Sequence, residues 1–165
     1  MILIEGCDNS GKTTLVSKLS DDLRLLSIRQ RQLARNKLDI TEYVLYMLGL
    51  SRRFPTIFDR WPPISEPIYG PICRGVSFLT KQEVFDLHSM ITELDPCPVI
   101  VYCRPRDSVI LDFGEREQME GVRENGRKLI KAYDKSMNET PLDVITYDYE
   151  HDSYETLLKQ LKVYL

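Results

Sequence analysis

Four apolar residues, Met1-Ile2-Leu3-Ile4, run straight into Glu5-Gly6-Cys7-Asp8-Asn9-Ser10-Gly11-Lys12-Thr13-Thr14, and no other segment constrains the chain as tightly. From Gly6 to Thr13 the residues fit G-x-x-x-x-G-K-[ST], a loop whose backbone N–H groups curl around phosphate oxygens. The helix that follows such a loop turns its positive end toward the same anion. The flanks agree: an apolar strand precedes the loop, and Leu15, Val16, Leu19, Leu23 and Leu26 recur afterwards at helical spacing, predicting a helix over Lys12–Leu26. Asp8, Asn9, Ser10, Gly11, Lys12, Thr13 and Thr14 are thus the candidate ATP-binding residues. Lys12, read as an exposed loop lysine, would reach the β- and γ-phosphates, and the Thr13 hydroxyl would ligate Mg²⁺.

Beyond this unit, strands and helices alternate. Ser27–Ala34 is polar and admits a short exposed strand. Ile40, Tyr43, Val44, Met47 and Leu48 mark a helix, with Asp39 and Glu42 as a capping-box-like start and Gly49 near its end. Pro55–Phe58 reads as a buried strand leading into Asp59-Arg60. Trp61–Ser77 carries Pro62, Pro63, Pro67, Gly70, Pro71 and Gly75, which predicts a shaped loop. Thr80 and Glu83 would cap a helix through Val84, Leu87, His88, Ile91 and Leu94. Val99–Cys103 is an apolar strand of the doubly buried kind. After a charged stretch, Arg104–Val122, come a helix bearing Leu129, Ile130, Tyr133 and Met137, a strand over Leu142–Tyr147, and a helix with Tyr154, Leu157, Leu158 and Leu161. This alternation predicts an α/β, three-layer P-loop NTPase fold: a five-stranded parallel sheet, helices on both faces, ligands at the carboxyl ends of the strands. We expect a single domain, 1–165, with a small lid at about 113–122.

Twenty-two Lys and Arg stand against 25 Asp and Glu, a net charge of -3, so no global basic field draws the chain to a nucleic acid polymer or a membrane surface. The four cysteines form no C-x-x-C pair, which argues against a zinc knuckle and for reduced thiols. With no stretch approaching a membrane span, the expectation is a cytoplasmic chain.

Three further strings compete for a role. Asn36-Lys37-Leu38-Asp39 imitates a guanine-reading N-K-x-D but follows the phosphate loop too soon. Asp112-Phe113-Gly114 imitates a protein-kinase metal triplet, yet those enzymes use a different glycine loop. Asp59-Arg60-Trp61, where a strand meets a loop, is placed for chemistry. Arg60, Arg74, Arg104, Arg106, Arg116 and Arg123 fall in strand-end loops or the charged segment, and arginine forks suit the neutralisation of transferring phosphoryl groups.

Taken together these blocks resemble thymidylate kinases. Ile4-Glu5-Gly6-Cys7-Asp8-Asn9-Ser10-Gly11-Lys12-Thr13-Thr14 looks like their E-G-x-D-x-S-G-K-T-T. Asp59-Arg60-Trp61 with Ser65 and Tyr69 is similar to their D-R-[YH]…S…A-Y, and Glu115-Arg116-Glu117-Gln118, followed by Arg123, Arg127 and Tyr133, resembles their lid and the helix after it. The resemblance implies a deoxynucleoside monophosphate kinase that uses ATP and Mg²⁺, most simply on dTMP, and works as a homodimer. It implies that Asp8 binds the 3′ side of the acceptor sugar or orients Arg60, that Arg60 holds the acceptor phosphate, and that Tyr69 packs beneath the deoxyribose. Arg74 joins these as a substrate-binding candidate, and Lys12, Asp59, Arg60 and Arg116 as the catalytic set, with Arg116 closing from the lid. Ser65 and Tyr69 come one residue late and Trp61 stands where Tyr or His is usual, so the acceptor's base stays open; Gln32, Arg35, Tyr43 and Arg53 are candidates to read it. The alternative is a deoxynucleoside kinase, whose acceptor hydroxyl needs a general base such as Asp59. Non-catalytic readings, a nucleotide switch or a scaffold, sit poorly with the missing switch motifs and the intact Lys12, Thr13 and Arg60.

Overall fold

The computed structural model describes residues 1–29, 36–115 and 118–165. Five strands form one all-parallel sheet: β1 (Ile2–Glu5), β2 (Leu26–Arg29), β3 (Thr56–Asp59), β4 (Val99–Cys103) and β5 (Asp143–Tyr147), in the order β2-β3-β1-β4-β5. Pairing aligns Ile4 with Asp59 and Glu5 with Tyr102. The carboxyl ends of the three central strands therefore deliver Glu5, Asp59 and Cys103 to one edge of the sheet. β1 and β4 are buried along their whole length, as the unbroken apolar runs require.

Among the described residues seven α-helices cover the sheet: α1 (Lys12–Leu23), α2 (Lys37–Ser51), α3 (Pro62–Tyr69), α4 (Lys81–Thr92), α5 (Asp107–Ile110), α6 (Val122–Glu139) and α7 (Tyr154–Leu161). One core gathers Leu3, Phe58 and Ile100 with the inward faces of α2, α3, α4 and α6. The other packs Ile2, Ile4, Ile57 and Val101 against α1 and α7. Alternate residues of each strand thus feed opposite layers, and the three-layer α/β architecture follows.

Several expectations need correction. α1 stops at Leu23 because Arg24 turns left-handed (φ 54) and its N–H closes on Ser20 O; Leu26 then belongs to β2. Asn36, not Asp39, caps α2, its side chain accepting from the Asp39 N–H, which gives Asn36-Lys37-Leu38-Asp39 a capping role. Trp61–Ser77 is largely helical. Pro62 and Pro63 occupy the first turn of α3, where a missing N–H has no partner to lose, and Gly70–Arg74 continues as a π-helical turn. The four-residue helix α5 follows β4 inside the stretch read as charged. At Thr80–Glu83 the predicted capping box is present in both directions. Gln32, Arg35 and Arg116 lie outside the described residues. Among the described residues no helix is long and apolar enough to cross a membrane.

Candidate nucleotide site

The loop between β1 and α1 owes its shape to three residues in left-handed or mirror-extended conformations, Gly6 (φ 142), Asn9 (φ 65) and Gly11 (φ 84). At Gly6 a Cβ would lie 2.6 Å from the Cys103 carbonyl oxygen, so β4 fixes a glycine there as firmly as the backbone angle does. Residues Asp8 to Thr14 line a cavity of about 320 Å³ together with Asp59 and Arg60 from the end of β3. Lys12 is no exposed loop residue. It opens α1, is only 7% exposed, and its Nζ donates to Cys7 O at 2.5 Å. Burial, and next the Arg60 charge, push its pKa below the ordinary lysine value.

Arg60 is held from every side. Its backbone adopts φ 78 and its N–H donates to Ile4 O at 2.9 Å, carrying the chain off the end of β3. Nη1 donates to Gly6 O (3.1 Å) and Tyr133 OH (2.6 Å), and Nη2 to Asp8 Oδ1 (2.9 Å) and Tyr69 OH (3.2 Å). Tyr69 OH donates to Asp8 Oδ2 at 2.8 Å. Burial works against the Asp8 carboxylate, but Arg60, Lys12 and the Tyr69 hydroxyl outweigh it and hold its pKa below the usual range. Burial likewise opposes the Arg60 charge, which its contacts with Tyr133, Tyr69 and Asp8 and the nearby Glu5 charge keep in place.

The structure brings together Asp8, Lys12, Asp59, Arg60 and Tyr69 from the sequence-derived set. Arg74 instead pairs with Glu66 at 2.5 Å and lies over the Phe78 ring. Other arginines of the strand-end loops also have internal partners: Arg104 with Asp107 and Asp134, Arg106 with Glu150. Arg123 donates to Gly114 O and covers the Phe113 ring, so Asp112-Phe113-Gly114 packs against α6. Asn9 ties the β1–α1 loop to the segment after β4, its Nδ2 donating to Val109 O and Asp112 O at 2.7 Å each. Beside this tie a second cavity, of about 730 Å³, continues from Asn9, Ser10, Gly11 and Thr14 to Lys18, Arg106 and Tyr149.

Sequence reasoning gave no role to two residues that the site places centrally. Glu5 is 0% exposed, accepts from the Trp61 N–H at 2.5 Å and from Tyr133 OH at 3.2 Å, and has its pKa pushed up to about 7 by burial against the opposing pull of Arg60. Tyr133, also fully buried, stacks on Tyr102 and meets Tyr69 edge-on. A carboxylate ending an apolar strand, at the first position of the E-G-x-D pattern, is the sequence signal that points to Glu5.

No protein-family model matches the chain, and no curated protein matches it by sequence. Among solved structures, the YorR protein from Bacillus subtilis, in complex with phosphorylated GDP, superposes with a TM-score of 0.77 at 20% identity, over 98% of this chain and 93% of that one. Deoxyadenosine kinase from M. mycoides with bound dATP gives 0.61 at 18% identity, over 98% of both chains. The same enzyme with bound dCTP gives 0.58 at 17% identity, over 99% of this chain and 97% of that one. What is shared at such identities is the architecture: this chain has the three-layer P-loop fold that deoxyadenosine kinase also adopts.

Proposed function

We propose that this chain is an ATP-dependent deoxynucleoside monophosphate kinase of the thymidylate kinase type, a single domain over 1–165 that converts a dNMP, most simply dTMP, and ATP to dNDP and ADP. The observation that carries the reading is the shared cavity in which Lys12 of the phosphate loop and Arg60 of the β3 end face the same space. Transfer between two anionic partners depends on positioning and charge neutralisation more than on a base. An acceptor oxygen attacks the γ-phosphorus as the bond to the β,γ-bridging oxygen breaks. Near neutral pH the acceptor phosphate is largely a dianion, so no proton has to be removed. Asp8 to Thr14 cradle the donor phosphates and Lys12 screens the β- and γ-oxygens. Arg60 binds the acceptor phosphate, oriented by Asp8; Tyr69 packs under the sugar; Arg74 is an outer substrate contact, reached by exchange of Glu66. Arg116 closes over the transferring group from a lid at about 113–122.

The oxygen donors that line the cavity, the Thr13 hydroxyl and the Asp59 carboxylate, suit Mg²⁺. Thr13 would hold the ion directly and Asp59 its waters; bound there, Mg²⁺ supplies charge neutralisation on the donor phosphates. The resemblance further supports a homodimer that takes small nucleotides alone as partners, its oligomeric state tested by light scattering on the purified chain; the expected compartment is the cytoplasm.

A second reading is favoured by Asp59 lining the same cavity and by the fold likeness to deoxyadenosine kinase. In it the acceptor is a deoxynucleoside whose 5′-hydroxyl proton passes to Asp59 as the new P–O bond forms. ADP release in ATP and Mg²⁺, measured across dNMPs and deoxynucleosides, decides between them. Turnover with dTMP or another dNMP supports the first; turnover with deoxynucleosides alone transfers the assignment to the second.

A further inference from the structure

The geometry points to Glu5 and Tyr133 as a positioning pair that aims the Arg60 guanidinium into the cleft. The inference rests on the reading in which Arg60 serves the acceptor. A non-glycine residue at φ 78 is strained, and such a backbone persists only where its surroundings hold it. Here the hold is explicit. Arg60 N–H is fixed to Ile4 O, and the next N–H, that of Trp61, is fixed to Glu5 Oε1, so the turn is pinned on both sides by β1. The other Glu5 oxygen accepts from Tyr133 OH, whose oxygen accepts from Arg60 Nη1 at 2.6 Å. One carboxylate thus fixes both the backbone and, through a phenol, the guanidinium of the same residue.

The phenol is itself immobilised. Its ring stacks on Tyr102 and meets Tyr69 edge-on. The neighbouring residue, Asp134, accepts from Tyr102 OH and from Nε and Nη2 of Arg104, which clamps this turn of α6 to β4. Among the described residues Glu5 makes no direct ion pair, and its hydrogen bonds from Trp61 and Tyr133 come from neutral donors. A buried carboxylate so placed is a poor stabiliser of the fold, since removing its charge from water is not repaid by a contacting cation. Its service is directional. Every oxygen lone pair it commits ends, within one step, at Arg60.

The charged and titratable groups facing Glu5 are Arg60 from the end of β3, Lys12 from α1, Tyr133 from α6 and Cys103 from β4. Loss of a proton leaves both Glu5 oxygens free to accept; gain of one turns an oxygen into a donor and loosens one of the two tethers. Positioning should therefore strengthen as pH rises through about 7.

The test compares wild type with Tyr133→Phe and Glu5→Gln, using the acceptor that the panel identifies. Tyr133→Phe keeps the stacked ring and loses the oxygen. We expect kcat/KM for the acceptor to fall on the order of tenfold, the usual worth of a hydrogen bond to a charged group, with the KM for ATP unchanged. The wild-type to Glu5→Gln ratio of acceptor kcat/KM should rise through pH 7; the acceptor phosphate titrates in both proteins and cancels. A Tyr133→Phe enzyme with wild-type acceptor kinetics, or a ratio flat with pH, overturns the pair while leaving the kinase reading intact. Should wild type turn over no acceptor at all, the kinase reading fails instead. The pair is then judged on the emission of the single tryptophan, Trp61, whose N–H Glu5 holds. A midpoint near pH 7 in wild type that vanishes in Glu5→Gln supports it, and identical titrations refute it.

Discussion

Glu5→Gln should make the protein more stable, and only above acidic pH. The folded chain holds the Glu5 proton more tightly than the unfolded chain, with a pKa displaced upward from 4.5 to about 7. A carboxyl raised in this way contributes fully below pH 4.5, loses that contribution between 4.5 and 7, and is level above. At ~1.36 kcal/mol per pH unit the displacement amounts to about 3 kcal/mol of stability forgone at pH 8. No screening discount applies, because Glu5 is 0% exposed. Glutamine cannot ionise. Its amide oxygen still accepts from the Trp61 N–H, and its NH₂ group stands where the protonated carboxyl carries its own O–H, so the two proteins differ little while Glu5 holds its proton. The difference in unfolding free energy between variant and wild type should thus begin near zero around pH 4.5 and climb by about 3 kcal/mol by pH 8. Urea unfolding of both proteins at half-unit intervals measures it, and titrations common to the two cancel. A difference that stays flat across this window would falsify the assignment of Glu5 as a buried, ionising group.

Lys12→Met keeps the apolar stem and removes a buried ammonium, so ADP formation should drop by at least about 10³-fold while the melting temperature holds or rises; a variant with more than a tenth of wild-type turnover would remove Lys12 from the transfer step. Gly6→Ala should destabilise the chain by about 2 kcal/mol or more, because the new methyl would meet the Cys103 carbonyl at 2.6 Å and the backbone sits at φ 142. Unchanged thermal unfolding of that variant would show that the β1–β4 crevice yields.

How far the sequence discloses this molecule depends on whether a residue's role is local. Val99–Cys103 and the Thr80–Glu83 capping box are read correctly because burial on both faces and a reciprocal cap are written in neighbouring residues. The turn from β1 into α1 is legible for the same reason. Trp61–Ser77 misleads because Pro62 and Pro63 stand in the first turn of α3, where no N–H is needed, and because the helix continues through Pro67 at the loss of one N–H bond. The pairing of Arg104 with Asp134 and of Arg106 with Glu150 depends on residues distant in the chain, and that of Arg74 with Glu66 depends on a helix where a loop is expected. Counting arginines therefore overstates the cations facing the cleft. The contact of Tyr133 with Glu5 spans 128 positions and has no local trace at all.

The internal pairing of Arg60 gives a means of asking what the cleft is built to accept. Nη2 is committed to Asp8, in an ion pair whose side chains are 24% and 30% exposed. A nucleoside brings no charge and has no means of displacing a carboxylate from a guanidinium. A monophosphate dianion does, and it then competes with Asp8 for the fork. Asp8→Asn removes the competitor's charge. The mutation also alters any contact with the sugar, but that change is common to dTMP and thymidine, so the ratio of their dissociation constants isolates the phosphate. For a partly exposed pair worth about 1 kcal/mol, the ratio should move roughly fivefold in favour of dTMP. Quenching of the lone Trp61, one residue from Arg60, reports binding of both ligands without turnover. An unchanged ratio in Asp8→Asn would mean that the acceptor phosphate never engages the Arg60 fork, and the case for a monophosphate over a nucleoside acceptor would lose its cation.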